Sequence, residues 1–131
     1  MLNDAPITLG PLRLRVDPAR AAAYAREIGA DENRVPLAYP AVWLMEPALS
    51  AMVHDLCATL DVVPVHESQS FAYEAPLAMG ESYDVGVTIT QTEKPPRLTL
   101  AATIVDVSGA QIAQIETMLR LVPRTGLGGA S

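Results

Sequence analysis

Few side chains in this sequence are suited to chemistry, and they are scattered. It holds two histidines, His54 and His66, and one cysteine, Cys57. His54 sits beside a helical apolar stripe, with Ser50, Ala51 and Ala58 as its helix neighbours. That pattern fits an interface histidine, or a general base working at a pocket. His66 alternates with Val65 and Glu67 on a strand and reads as facing solvent or a second subunit. Neither has a cysteine or carboxylate at ligand spacing, so no metal and no cofactor is expected. Cys57 lies on the apolar stripe itself, where a small buried hydrophobe is the reading rather than a nucleophile. Asp31 follows Gly29-Ala30 in a loop and can close an Asx turn. Glu46 precedes Pro47 at a helix start. A carboxylate there can act on a substrate, or simply stabilise the helix terminus by roughly 0.3–1 kcal/mol. Tyr39 and the lone tryptophan, Trp43, flank the irregular stretch before that helix, where they can wall a pocket or fill the core. Arg97, Arg120 and Arg124 could meet a phosphate, or serve as solubilising charges at strand ends.

Periodicity defines the elements that hold these residues. Residues 7–16 set Leu12, Leu14 and Val16 against Arg13 and Arg15, a half-buried strand. Asp17-Pro18 then opens a short helix, with the aspartate as N-cap and proline at the first helical position, and Gly29 stops it. Its alanine-rich composition places it on the surface of something larger. Pro36 and Pro40 prevent a regular helix across residues 30–46, so a loop with 3₁₀ character is expected there. From Pro47, apolar residues recur every three or four positions: Leu49, Met52, Val53, Leu56, Cys57 and Leu60. This wide, nearly uncharged stripe predicts the buried helix. Four strands follow, over residues 62–75, 82–93, 97–107 and 111–122. Pro64 suits an edge strand, Lys94-Pro95-Pro96 and Ser108-Gly109 are turns, and the last three strands form a meander.

The bulk properties narrow the function. The chain has 131 residues, half of them hydrophobic and 18% charged, which predicts one folded domain over residues 1–124 and a flexible tail over 125–131. A net charge of −6 argues against nucleic acid and anionic membrane surfaces as partners. A single cysteine rules out a disulfide within the chain. The start, MLNDAPITLG, has neither the basic nor the apolar segment of a signal peptide, and no apolar run reaches transmembrane length, so a cytoplasmic setting is expected.

One strand, two helices and four strands can bury the second helix only if the sheet curls over it. With FAYEAPLAMGESYDV at residues 71–85, this order resembles the MaoC-like dehydratase family. Phe71, Tyr73, Pro76, Leu77 and Gly80 match that family's passage after the central helix, and Glu81 stands where aspartate is common. The ending DVSGAQIAQIETMLRLVPR is similar to its last hairpin. The resemblance implies an α+β hotdog fold, a curled antiparallel sheet wrapped around one central helix, found as a homodimer or a heterodimer with another hotdog subunit. It also implies hydration of enoyl thioesters or dehydration of (R)-3-hydroxyacyl thioesters carried on CoA or acyl carrier protein. That reaction needs a proton shuttle at the α-carbon and a donor for the thioester oxygen. The family places an Asp and a His five residues apart before the central helix. Asp31 and Asn33 match the start of that passage and are the catalytic candidates; Pro36 stands where the histidine belongs, and Ala41-Val42 replace a histidine-glycine pair. Tyr39, Val42, Trp43, Glu46 and His54 are the expected substrate-binding residues. The degenerate motif leaves two other readings: a non-catalytic subunit of a heteromeric dehydratase, or an acyl-CoA thioesterase using Glu46.

Overall fold

The computed structural model describes residues 6–124. In chain order these form β1 (Ile7–Arg15), α1 (Pro18–Glu27), a 3₁₀ segment (Tyr39–Met45), α2 (Pro47–Leu60), β2 (Val62–Tyr73), β3 (Ser82–Glu93), β4 (Pro96–Val105) and β5 (Gln111–Pro123). The strands make one antiparallel sheet ordered β1-β3-β4-β5-β2. The last three pair as a meander, and Pro64 lies in an edge strand, as its missing N–H requires. The expected tail lies outside the described residues. No described helix is long and apolar enough to cross a membrane.

Strict alternation in β3 and β4 builds the inner face of the sheet. Tyr83, Val85, Val87 and Ile89 are buried opposite Leu98, Leu100, Ala102 and Ile104. Ala113, Ile115, Thr117 and Leu121 extend that face onto β5. Register shifts in β1, β2 and β5 mark irregularities of the kind that bend strands and let a sheet curl. In β1 the shift falls at Gly10, whose φ is +94°. A Cβ there would come within 2.8 Å of both the Leu12 nitrogen and the Val85 oxygen, so only glycine fits.

Two details depart from the sequence reading. Asp17 precedes α1 but makes no side-chain capping bond, and proline at the first helical position removes one amide that would need a cap. α2 is less buried than its stripe predicts. Leu49 and Cys57 are buried, while Met52, Val53, Leu56 and Leu60 are half-buried. One layer of sheet covers one side of the helix, and among the described residues the flank beside the edge strand β2 stays open.

β2 lies at one edge of the sheet and β3 sits beside β1 near the other, so residues 74–81 carry the chain across. That crossing passage and the loop after α1 meet, and they build the site described next.

Candidate functional site

Residues 30–37 and 76–79 enclose a cavity of about 650 Å³. The crossing passage is fixed to the end of β1. The Gly80 N–H donates to the Val16 carbonyl at 2.8 Å, and the Val16 N–H donates to the Glu81 carbonyl at 2.9 Å. Arg15 Nε adds a bond to the Gly80 carbonyl at 3.2 Å. Gly80 has φ +80°, the left-handed conformation that glycine adopts without strain. Tyr83 Oη accepts the Ala78 N–H at 2.8 Å from below.

The opposite wall is held by tyrosines as well. Tyr73 Oη donates to the Leu37 carbonyl, and Tyr24 Oη donates to that of Ala38 at 3.5 Å. Burial pushes the Tyr73 phenol up to about 12. Burial also raises the Tyr39 phenol, opposed by the nearby Arg20 charge and assisted by Asp17.

The structure brings Asp31 and Asn33 together in the lining of this cavity. Asp31 is exposed, and its Oδ1 accepts the Asn33 N–H at 2.9 Å, closing the Asx turn foreseen for it. Pro36 is buried in the same wall, and Leu37, also in the lining, is 62% exposed. Arg34 is the other titratable side chain of the lining. A proton shuttle working here would have to use a carboxylate already bonded to a backbone amide.

The other sequence candidates lie elsewhere. Tyr39 and Trp43 are 1% and 5% exposed. They continue an edge-to-face row, Tyr24 to Tyr39 at 6.2 Å and Tyr39 to Trp43 at 5.8 Å, which reaches Tyr83 at 6.3 Å from Trp43. Trp43 and Leu49 line an internal crevice of about 10 Å³, at the lower limit for a single water. Val42 lines a separate groove on α1 with Arg20, Tyr24 and Glu27. Glu46 is the residue before α2 and makes no side-chain cap; its carbonyl accepts the Ser50 N–H at 2.9 Å.

His54 lines a second cavity, about 470 Å³, between α2, β2 and the adjoining strands. His66, Thr117 and Arg124 share that lining, a grouping that simple alternation along β2 does not reveal. Counting back by twos from Phe71 puts residue 66 on the outer face. The register shift between His66 and Ser68 returns it to the inner face, opposite Leu119. Cys57 also lines this cavity, and burial pushes its thiol up, away from the reactive thiolate. Among the described residues, no group of three or more His, Cys, Asp or Glu could hold a metal ion.

No protein-family model matches the sequence, and no curated protein matches it. Solved structures do match it. The HadBC (3R-hydroxyacyl-ACP dehydratase) complex of Mycobacterium tuberculosis superposes with a TM-score of 0.70 at 14% identity, over 90% of this chain and 97% of that one. A MaoC-like dehydratase gives 0.67 at 13% identity over 92% of this chain, which spans 42% of that longer one. A 1,4-dihydroxy-2-naphthoyl-CoA thioesterase from Synechocystis gives 0.64 at 17% identity, over 91% of this chain and 83% of the other. At these identities the likeness establishes the fold alone, and this chain has the hotdog fold, the architecture it shares with MaoC-like dehydratases and hotdog thioesterases.

Proposed function

We propose that this chain is an acyl-thioester-binding hotdog subunit of the MaoC-like dehydratase kind, one that depends on a second hotdog subunit for its proton-shuttling residues. The observation that carries the reading is Pro36. It is buried in the wall of the loop cavity, at the position where the resemblance calls for a histidine, and it carries no proton to transfer. The neighbouring carboxylate of Asp31 is engaged with the Asn33 amide. The cavity is within the size range of small-molecule sites, about 300–1,000 Å³, and its lining includes the largely exposed Leu37, which a second subunit would cover. β2 offers a free edge for such a subunit, with Val65 45% exposed along it. A fold neighbour is itself a complex of hotdog chains.

The test follows the enoyl-thioester absorbance of crotonyl-CoA with the purified protein, alone and mixed with a catalytically competent hotdog subunit. Binding without turnover is expected from the chain alone, with turnover appearing in the mixed complex. Turnover by the chain alone, abolished in both Asp31→Ala and Asp31→Asn, would overturn the proposal. Release of free thiol would instead identify a thioesterase.

A further inference from the structure

The second cavity combines features that the loop cavity lacks. Both histidines of the chain line it, one from α2 and one from β2, although twelve positions separate them in sequence. Arg124, at the end of β5, lines it as well. No carboxylate does, in a chain whose net charge is −6. Three other cavities each carry one: Glu27 in the α1 groove, Asp31 in the loop cavity and Glu116 on the outer sheet face. The acidic residue beside His66 is turned away. Glu67 reaches Arg97 and Arg120, both on the outer face of the sheet.

The polar groups of this cavity remain open to a ligand. Among the described residues, two side-chain bonds lie along it: Gln69 Nε2 to Thr117 Oγ1 at 3.0 Å, and Arg124 Nε to Asp61 Oδ1 at 3.2 Å. Thr117 is 2% exposed and is the acceptor in its bond, so its own hydroxyl proton is available to a ligand. Arg124 and Asp61 are 57% and 68% exposed, and an ion pair that open to water exchanges readily for another anion. The floor is apolar, formed by Val53, Leu100 and Leu119.

We infer that this cavity is a binding site for an aliphatic carboxylate, with the carboxylate held by Arg124, His54 and His66 and the tail lying on Val53, Leu100 and Leu119. Apolar walls with a few convergent polar groups are the usual construction of a small-molecule site. Two imidazoles with no carboxylate in the lining, beside an arginine whose one acidic partner, Asp61, is itself open to water, select the anionic head. The site is separate from the loop cavity and does not depend on the acyl-thioester reading.

The test titrates the full chain with octanoate, by calorimetry and by the Cε1–H resonances of the two histidines. 1-Octanol serves as the control with a similar tail and no charge. Octanoate should shift both imidazole resonances and bind at least tenfold more tightly than octanol. His66→Gln and Arg124→Gln, both at exposed positions, should each weaken it at least fivefold. Leu119→Trp, which fills the floor, should abolish it. Equal affinity for octanol would overturn the inference, as would unshifted histidines, undiminished affinity in both polar variants, or a second copy of the chain occupying the cavity to the exclusion of octanoate. Octanoate binding without crotonyl-CoA binding would remove the acyl-thioester reading and leave this site standing; the converse would do the opposite.

Discussion

Around the loop cavity three supporting tyrosines and Asp31 are engaged with the chain's own backbone, whereas around the cavity beside α2 most polar side chains are not. Tyr73, Tyr24 and Tyr83 bond to Leu37, Ala38 and Ala78, and Asp31 bonds to Asn33. Each bond stiffens the wall, and those of Tyr73 and Tyr24 commit the hydroxyl proton to it. On the α2 side, His54, His66 and Ser50 hold no side-chain bond among the described residues, and the one buried hydroxyl, Thr117, still has its proton to give. The loop cavity is thus a shaped scaffold short of reactive groups. The other has groups capable of recognition but stands open on one flank. The difference shows why a resemblance carried by the Phe71–Gly80 passage transmits fold more reliably than reaction: the residues that match are those that hold the backbone.

The comparison depends on a solid core behind both cavities, and the sharpest way to break it is to remove Trp43. Its ring is 5% exposed and packs against both Tyr39 and Tyr83, the latter bonded to the loop wall at Ala78. The crevice beside it is already at the limit for one water, so truncation leaves a void that the sheet cannot collapse to fill. Trp43→Ala should destabilise the protein by about 3–5 kcal/mol, read from the urea midpoint. A loss under about 1 kcal/mol would show that the aromatic row is loosely packed and that the walls of the loop cavity do not rest on it.

A smaller effect is expected at Tyr73, which tests whether the loop wall is held by its hydroxyl. Tyr73→Phe removes the bond to the Leu37 carbonyl and should cost about 0.5–1.5 kcal/mol. The pH dependence has a definite sign. Burial raises the phenol from 10.0 to about 12, so the folded state favours the neutral form. Its stabilisation is complete below pH 10 and is lost as the pH rises through 12. The wild type should therefore lose stability over that window more steeply than Tyr73→Phe. Parallel alkaline unfolding curves would mean that the phenol is not buried in the wall.

Much of the scaffold was legible because it follows from short-range rules. The alternation of Tyr83, Val85, Val87 and Ile89, the Pro47 start of α2, and the irregular stretch set by Pro36 and Pro40 all depend on neighbours in sequence. The Asx turn of Asp31 was equally local. What could not be read depends on pairing. The stripe of α2 says which residues are apolar, and not that the sheet leaves one flank uncovered. The tyrosine bonds to Leu37, Ala38 and Ala78 join a hydroxyl to a backbone group of unremarkable sequence. His66 is exposed, in keeping with its strand alternation, but which cavity it borders depends on the register shift in β2, because one extra residue reverses which face a side chain meets.

That register shift gives the smallest and most specific test. Glu67 is the residue skipped in the pairing of β2 with β5, and its carboxylate bonds to Arg97 and Arg120 on the outer face while His66 faces the cavity. The hydrogen bond from Arg97 is the largest influence on the Glu67 carboxyl and, with the Arg120 charge, holds it below its usual 4.5 against an opposing desolvation that exceeds the Arg120 contribution. A depressed carboxylate stabilises the fold fully above pH 4.5 and loses that contribution as the pH falls through its folded value. Glu67→Gln should lower the urea midpoint slightly at neutral pH, and the gap from wild type should close in acid. It should also weaken octanoate binding, because the clamp on the outer face is what keeps His66 on the inner one. A variant with the stability loss but unchanged octanoate affinity would show that the strand holds its irregular register without the ion pairs, and that backbone pairing alone aims the histidine.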